Sequence, residues 1–359
     1  MTAIRREWSG AVELAVDVPG EGVLPALAYP ALVGRPEVGD TALLNTTALA
    51  LGLGTGGHAL VVAFPDRLPP DPAGPGHLVK ARYTPMQATV LGVDEQNSPH
   101  HAVLAAADSL DGMPVVVADL HSALPAVLAG LHADRPEARV VYVLTDGGAL
   151  PAWYSRTAAE LTATGRLAGT ISVGQAFGAD LEAVTVHTGL LAARTVLGAD
   201  VAVVAQGPGN LGTGTRWGFS GVAAGEAVNA AAVLRGRPVG ALRISAADPR
   251  DRHRPVSHHT LTAYGRVALA AADLVVPLGL PAPLAAELAD ALEPLRVRHR
   301  LVDVRTDGLD AALRALPVRL STMGRSLDDD PAYFLAAAAA GRHAGSLLAT
   351  SPDATHLHA

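Results

Sequence analysis

A chain of 359 residues, 49% hydrophobic but only 4% aromatic, is longer than one core ordinarily fills and must build its interior from Ala, Val and Leu. Its net charge of −7 offers no basic face to nucleic acid or an anionic membrane, and the absence of cysteine excludes disulfides, thiolate nucleophiles and Cys-held metals. The first residues, Met1 to Trp8, lack the apolar stretch of a signal peptide, and the apolar segment from Val267 to Leu288 is interrupted by Asp273, three prolines and Glu287, so a cytoplasmic protein is expected.

Short apolar runs separated by turn residues fill the first part of the chain: Val12 to Val16, Leu27 to Tyr29, Thr41 to Thr47 and His58 to Ala63. Their spacing predicts a small antiparallel β module over residues 1–64, for which a barrel is one form, with the glycine cluster from Gly52 to Gly57 as a wide hairpin loop. Prolines at 65, 69, 70, 72 and 75 exclude helix and central strand, so residues 65–76 read as a connection. An α/β domain is expected over residues 77–359. It begins with an alternating strand, His77 to Thr84, that puts Lys80 and Arg82 on one face, and Ala88 to Val93 pairs with it.

Lys80 stands out, because it is the only lysine among 27 basic side chains. An amine can lose its proton or form an imine where a guanidinium cannot, so Lys80 is either a ligand-site residue or a surface lysine without special duty.

Strands then alternate with helices. Val115 to Ala118 leads to Asp119, His121 and a helix from Ala123 to Leu131 with Ser122 as its cap. Val140 to Leu144 leads to Thr145, Asp146 and a helix from Trp153 to Thr164, and Thr170 to Val173 leads to Gln175 and a helix from Asp180 to Leu197. The next strand, Val201 to Ala205, opens into a glycine loop before a helix from Gly221 to Leu234. Val239 to Ile244 ends in Ser245, Asp248 and a polar run to His258 and His259, followed by a helix from Thr260 to Ala271. Leu274 to Val276, a helix from Pro283 to Leu295, Arg300 to Val304, a helix from Gly308 to Leu316 and an Ala-rich helix from Pro331 to Leu348 close the pattern. This alternation predicts a doubly wound, mainly parallel sheet.

In such a sheet the strand ends share one edge, where ligands bind. Gly207, Gly209 and Gly212 satisfy G-x-G-x-x-G, and with Asn210, Thr213, Gly214 and Thr215 they form a backbone-rich loop suited to a phosphate or another anion. The match to a dinucleotide motif is incomplete, because Thr213 to Phe219 separate the glycines from the next helix and the following strand ends in Ser245 where an acidic residue is expected. Gly209 or Gly212 is expected in a backbone conformation closed to other residues, with nearby N–H groups facing the ligand. The β module is expected against this edge, with Lys80 and Arg82 completing the pocket. Asp180 and Glu182 are expected in a first helical turn, where the helix dipole alone accounts for acidic residues.

The runs Asn45 to Ala48, Lys80 to Pro85, Leu120 to Pro125, Gly178 to Val184, Gly207 to Gly209, Gly212 to Thr215 and Val256 to His259 resemble a bacterial, mostly actinobacterial family catalogued only as a domain of unknown function. That resemblance spans nearly the whole chain and implies no activity. From the residues, the expected function is a hydrolase or transferase acting on an anionic, phosphorylated or nucleotide-like metabolite. His121 or His258 would serve as general acid/base, oriented by Asp119 or Asp146. A metal-dependent hydrolase drawing on His121, Asp146, His258 and His259 is an alternative without diagnostic ligand spacing, so no metal set is assigned. A non-catalytic small-molecule sensor or scaffold is the other. The cofactor is unknown, the expected partner is a small-molecule ligand, and the apolar composition favours a homo-oligomer.

Overall fold

The computed structural model describes residues 1–54, 56–71 and 74–348. Thr55 of the first glycine cluster, Pro72 and Ala73 of the proline-rich connection, and residues 349–359 of the expected α/β domain lie outside them.

Alternation along the first strands decides the N-terminal sheet. It consists of β1 (Ala3–Trp8), β2 (Ala11–Val18), β3 (Gly22–Ala28), β4 (Leu43–Asn45) and β5 (Ala59–Ala63), in the order β1-β2-β3-β5-β4. Val12, Leu14 and Val16 of β2 meet Ala26, Ala28, Val61 and Phe64 in a small core of their own. All pairings are antiparallel except β3 with β5, which is parallel because the chain between them crosses to the far side through β4. β4 and β5 flank the expected wide loop. β6 (Leu78–Lys80) and β7 (Ala88–Val90) then form an antiparallel ribbon.

The large sheet contains β8 (Pro114–Val117), β9 (Val140–Thr145), β10 (Gly169–Ser172), β11 (Leu181–Glu182), β12 (Val201–Gln206), β13 (Arg237–Ala241), β14 (Asp273–Pro277) and β15 (Arg300–Val304). Their order is β11-β10-β9-β12-β8-β13-β14-β15, and every pairing is parallel. The valine runs have two apolar faces, so both must be covered. Val115, Val141 and Val204 face a layer containing the helices Val186–Thr195, Ala223–Val233 and Ala282–Leu292. Val116, Tyr142 and Val203 face the other, formed by Leu124–Asp134, Arg156–Ala163, Leu309–Arg314 and Pro331–Ser346. The fold is thus doubly wound α/β with a smaller, mainly antiparallel N-terminal sheet. Among the described residues no helix is long and apolar enough to cross a membrane.

One predicted helix starts later than its sequence suggests. Leu181–Glu182 forms the edge strand β11, and the helix begins at Val186 behind Thr185, whose side chain accepts from Thr188 N. Asp180 and Glu182 therefore do not sit in a helical turn. Asp180 Oδ2 accepts from Thr170 N and Oγ1, while Glu182 accepts from Ser172 Oγ and Gly178 N, each at 2.6 Å. Their local side-chain bonds outweigh helix propensity across 180–185.

Candidate functional site

The connections from β8 and β9 run over one face, and those from β12 and β13 over the other. Because β12 lies between β9 and β8, neighbouring chain ends part in opposite directions and leave a crevice at the carboxyl edge.

Asp119 enters this crevice from β8 and Arg243 from the end of β13. Asp119 Oδ2 lies 3.6 Å from both Arg243 Nη1 and His259 Nδ1, and Arg243 Nη1 is 3.2 Å from that same ring nitrogen. Burial opposes charge on Asp119, but the His259 ring and the Arg243 guanidinium outweigh it and hold the carboxyl below its ordinary value. Ser257 caps the helix His258–Thr262 by accepting from His259 N, and its Oγ also lies 2.7 Å from His253 Nδ1. One capping serine therefore positions His253 beside His258 and His259. The three ring centroids are 4.4 to 5.1 Å apart, and Phe219 stacks on His259 at 3.8 Å. Burial, assisted by nearby positive charge, lowers His253 to about 3 and His258 to about 4, so both rings are neutral at physiological pH.

Behind the histidines, Arg250 grips Asp248 with Nε on Oδ1 at 2.9 Å and Nη2 on Oδ2 at 2.8 Å. Arg325 links Asp248 to Asp330, which also accepts from Ser245 Oγ. Asp248 is consequently held well below the usual carboxylate range: its guanidinium partners exceed the opposing effect of burial, the largest single influence. Five buried atoms of this region have no hydrogen-bond partner among the described residues: Asp119 Oδ2, Gln206 Oε1, Arg243 Nη2, His258 Nε2 and, farther back, Asp330 Oδ1. Gln206 Nε2 donates to Asp119 O at 2.8 Å, so these atoms belong to one neighbourhood.

The glycine loop adjoins it, with Asn210 Oδ1 accepting from Gln206 Nε2 at 3.0 Å. Gly209 has φ +90°, and no other atom lies within 4 Å of where a Cβ would stand, as expected for a turn that only glycine adopts freely. Gly212 has no such conformation. The loop's outer part turns on itself: Thr213 N donates to Gly218 O, Leu211 N to Ser220 Oγ and Gly218 N to Thr215 Oγ1. These N–H groups bind protein, contrary to the expected orientation, because residues 211–219 form a bridged hairpin. Gly209→Ala should cost about 1–2 kcal/mol from the left-handed backbone alone, read as a lower urea midpoint. An unchanged midpoint would show that residue 209 relaxes at no cost.

Of the sequence-predicted residues, Asp119 and His258 meet in the cluster, and Gly207, Asn210 and the loop to Thr215 lie over the same edge. His121 is held elsewhere. Tyr142 OH donates to Gln206 O, so its oxygen accepts from His121 Nδ1, and His121 Nε2 in turn accepts from Ser155 Oγ at 2.7 Å. Both ring nitrogens are occupied, and burial lowers His121 to about 4, so its geometry is that of a fixed neutral ring. It does border a cleft of about 240 Å³ with Gly209, Asn210 and Arg319. Ser122 does not cap its helix; its Oγ bonds Thr322 and Tyr333. Asp146 is exposed, and its Oδ2 accepts from Gln175 N.

The β module does touch the loops of this edge, with Trp8 Nε1 donating to Trp153 O. Lys80 does not complete the pocket. It is 2% exposed, and its ammonium donates to Ala176 O and Ala183 O at 2.9 Å, with Glu182 Oε2 at 3.6 Å. Arg82 lies beyond the end of β6, exposed, over the ring of Tyr83. The left-handed Ala81 between them, φ +47°, ends the alternation that would put both on one face. His253 and Arg243 are not among the residues that the sequence singles out. The signal for His253 is its spacing of five and six residues from the His258-His259 pair across Pro255, which becomes meaningful only once the turn brings it back.

The fold and this cluster define a doubly wound α/β protein with a buried, polar, partly unsatisfied centre at its strand ends. A family profile described as a protein of unknown function (DUF3866) matches residues 25–341, and the chain belongs to that family. No curated protein and no solved structure matches it.

Proposed function

We propose that this protein is an enzyme, a hydrolase or transferase, acting on a small anionic metabolite of phosphorylated or nucleotide-like chemistry at the crevice between β8, β12 and β13. The observation that carries this reading is the set of unpartnered buried atoms on Asp119, Gln206, Arg243 and His258. Buried polar atoms are nearly always hydrogen-bonded, so four without such a bond at a strand-order reversal, Asp119 Oδ2 and Arg243 Nη2 holding only ion pairs at 3.6 and 3.8 Å, favour a ligand that bonds them. Asp119 and Arg243 set the polarity of His259, the loop from Gly207 to Thr215 adjoins the crevice through Asn210, and Arg252 and Arg319 offer positive charge nearer the solvent. On this reading the protein works in the cytoplasm as a homo-oligomer and needs neither nucleic acid nor membrane, consistent with its net charge of −7.

The test is a thermal-shift screen of phosphorylated and carboxylated metabolites, followed by turnover assays on those that stabilise the protein. Asp119→Asn should lower turnover by about 10²-fold, the usual size of an oriented acid–base contribution. If folded Asp119→Asn protein turns over substrate like the parent, the crevice is not the reaction centre.

A further inference from the structure

We propose that His253, His258 and His259 form a three-histidine site for one divalent transition-metal ion of the zinc class. A ring nitrogen from each lies within 4.8 Å of those of the other two, close enough for small side-chain shifts to bring all three onto one ion. Imidazole suits zinc, copper, nickel and iron, and a chain without cysteine has it as its main borderline-soft ligand.

Several features separate the cluster from three histidines that merely pack together. His258 Nε2 is buried and has no partner among the described residues, which a core imidazole ordinarily avoids. Ser257 Oγ faces His253 Nδ1 at 2.7 Å, and Asp119 Oδ2 faces His259 Nδ1 at 3.6 Å, so the opposite nitrogen of each ring remains for an ion. A serine or carboxylate behind a ligating histidine is the usual way its tautomer and angle are fixed. Phe219, flat against His259, shields that ring from water.

Arg243 competes with the ion for the charge state of His259. Its Nη1 lies 3.2 Å from His259 Nδ1 and donates to it only while that nitrogen is unprotonated. An ion on the other nitrogen favours a proton on Nδ1, which then points to Asp119 Oδ2, an acceptor that has no partner among the described residues. The two arrangements exchange one contact for another. The surrounding charge does not bar a dication, since Arg243, Arg250 and Arg325 are matched by Asp119, Asp248 and Asp330, and Arg252, which also acts on His258, is exposed and screened by solvent. Three protein ligands leave a fourth position for water or substrate, the pattern of catalytic more than of structural zinc. This inference deepens the proposed function by giving its crevice a Lewis acid, yet it is measured without any substrate.

The experiment uses tag-free, chelator-treated full-length protein titrated with cobalt(II), with zinc stoichiometry measured after dialysis. Expected are visible absorption bands of cobalt in a low-symmetry nitrogen site and one tightly held equivalent, displaced by zinc. His258→Gln and His253→Gln should each lose that equivalent while keeping the parent's circular dichroism, and His121→Gln, outside the cluster, should keep it. Parent protein that holds no metal, or cluster variants that hold it as the parent does, would overturn the inference. Anionic metabolites are screened in parallel on the metal-free and on the metal-loaded protein. Metal bound without any metabolite binding removes the proposed substrate class and leaves the site; the reverse result removes the metal and leaves the enzyme reading.

Discussion

Replacing Lys80 with alanine is expected to destabilise the fold by about 3–5 kcal/mol, the cost of leaving one member of a buried ion pair without its partner. Lys80 is 2% exposed, and its ammonium is the bond donor to the carbonyl of Ala176, in the segment that joins β10 to the edge strand β11, and to that of Ala183, directly after β11. Removing it exposes those carbonyls to a cavity and isolates Glu182, which already accepts from Ser172 Oγ and Gly178 N. Against a total stability of about 5–15 kcal/mol the loss would be plain in a urea midpoint. Its pH dependence separates the ion pair from simple packing. Burial already raises the Glu182 carboxyl, with Ser172 and Lys80 opposing; removing Lys80 raises it further. A carboxyl raised in the folded state binds its proton there more readily than in the unfolded chain. Stability is then fully kept below the unfolded value and falls as pH rises through the folded one. The Lys80→Ala deficit should therefore be smaller near pH 4 than near pH 8. An equal deficit at both would mean that Glu182 feels no charge from Lys80.

Lys80 also shows where sequence reading stops. Its singularity is visible in composition, which leaves two explanations open, a pocket lysine and a surface one; a third, the buried structural cation, depends on Glu182, 102 positions later, and on two carbonyls that no side-chain pattern reveals. The central strands are legible because Val115–Val117, Val140–Val143 and Val201–Val204 are apolar on both faces, which only a doubly covered sheet satisfies. β1, Arg-rich and mostly exposed, lacks that signal. The same contrast holds at the crevice. Asp119 and His258 follow from the rule that strand ends converge, whereas the assignment of His121 depends on which way its ring turns. Tyr142 and Ser155 decide that, both arriving from other elements. His253 joins the site only through the turn that Ser257 organises.

Gly341→Ala is expected to cost about 3 kcal/mol, at the upper end for overpacking, although alanine is intrinsically the better helix residue. The helices Leu124–Asp134 and Pro331–Ser346 cross where a Cβ on Gly341 would overlap Val127 O and one on Gly130 would overlap Ala338 O. The obstructing atoms are backbone in both directions, so no rotamer change relieves them and the two helices must separate. Separation opens gaps along the alanine seam from Ala336 to Ala340, which is buried against the sheet and loses dispersion contacts on both sides. Gly345, one turn on, supplies the control: a Cβ there meets Arg135 Cγ at 3.4 Å, an ordinary contact with a flexible side chain. Gly345→Ala should thus be neutral or stabilising by up to about 1 kcal/mol, since glycine's helix penalty is removed without a clash. Thermal and urea unfolding of the two variants under one set of conditions would decide the matter. If Gly341→Ala matches or exceeds the parent as Gly345→Ala should, the helices are not held at glycine distance and the close crossing cannot be what orders this layer.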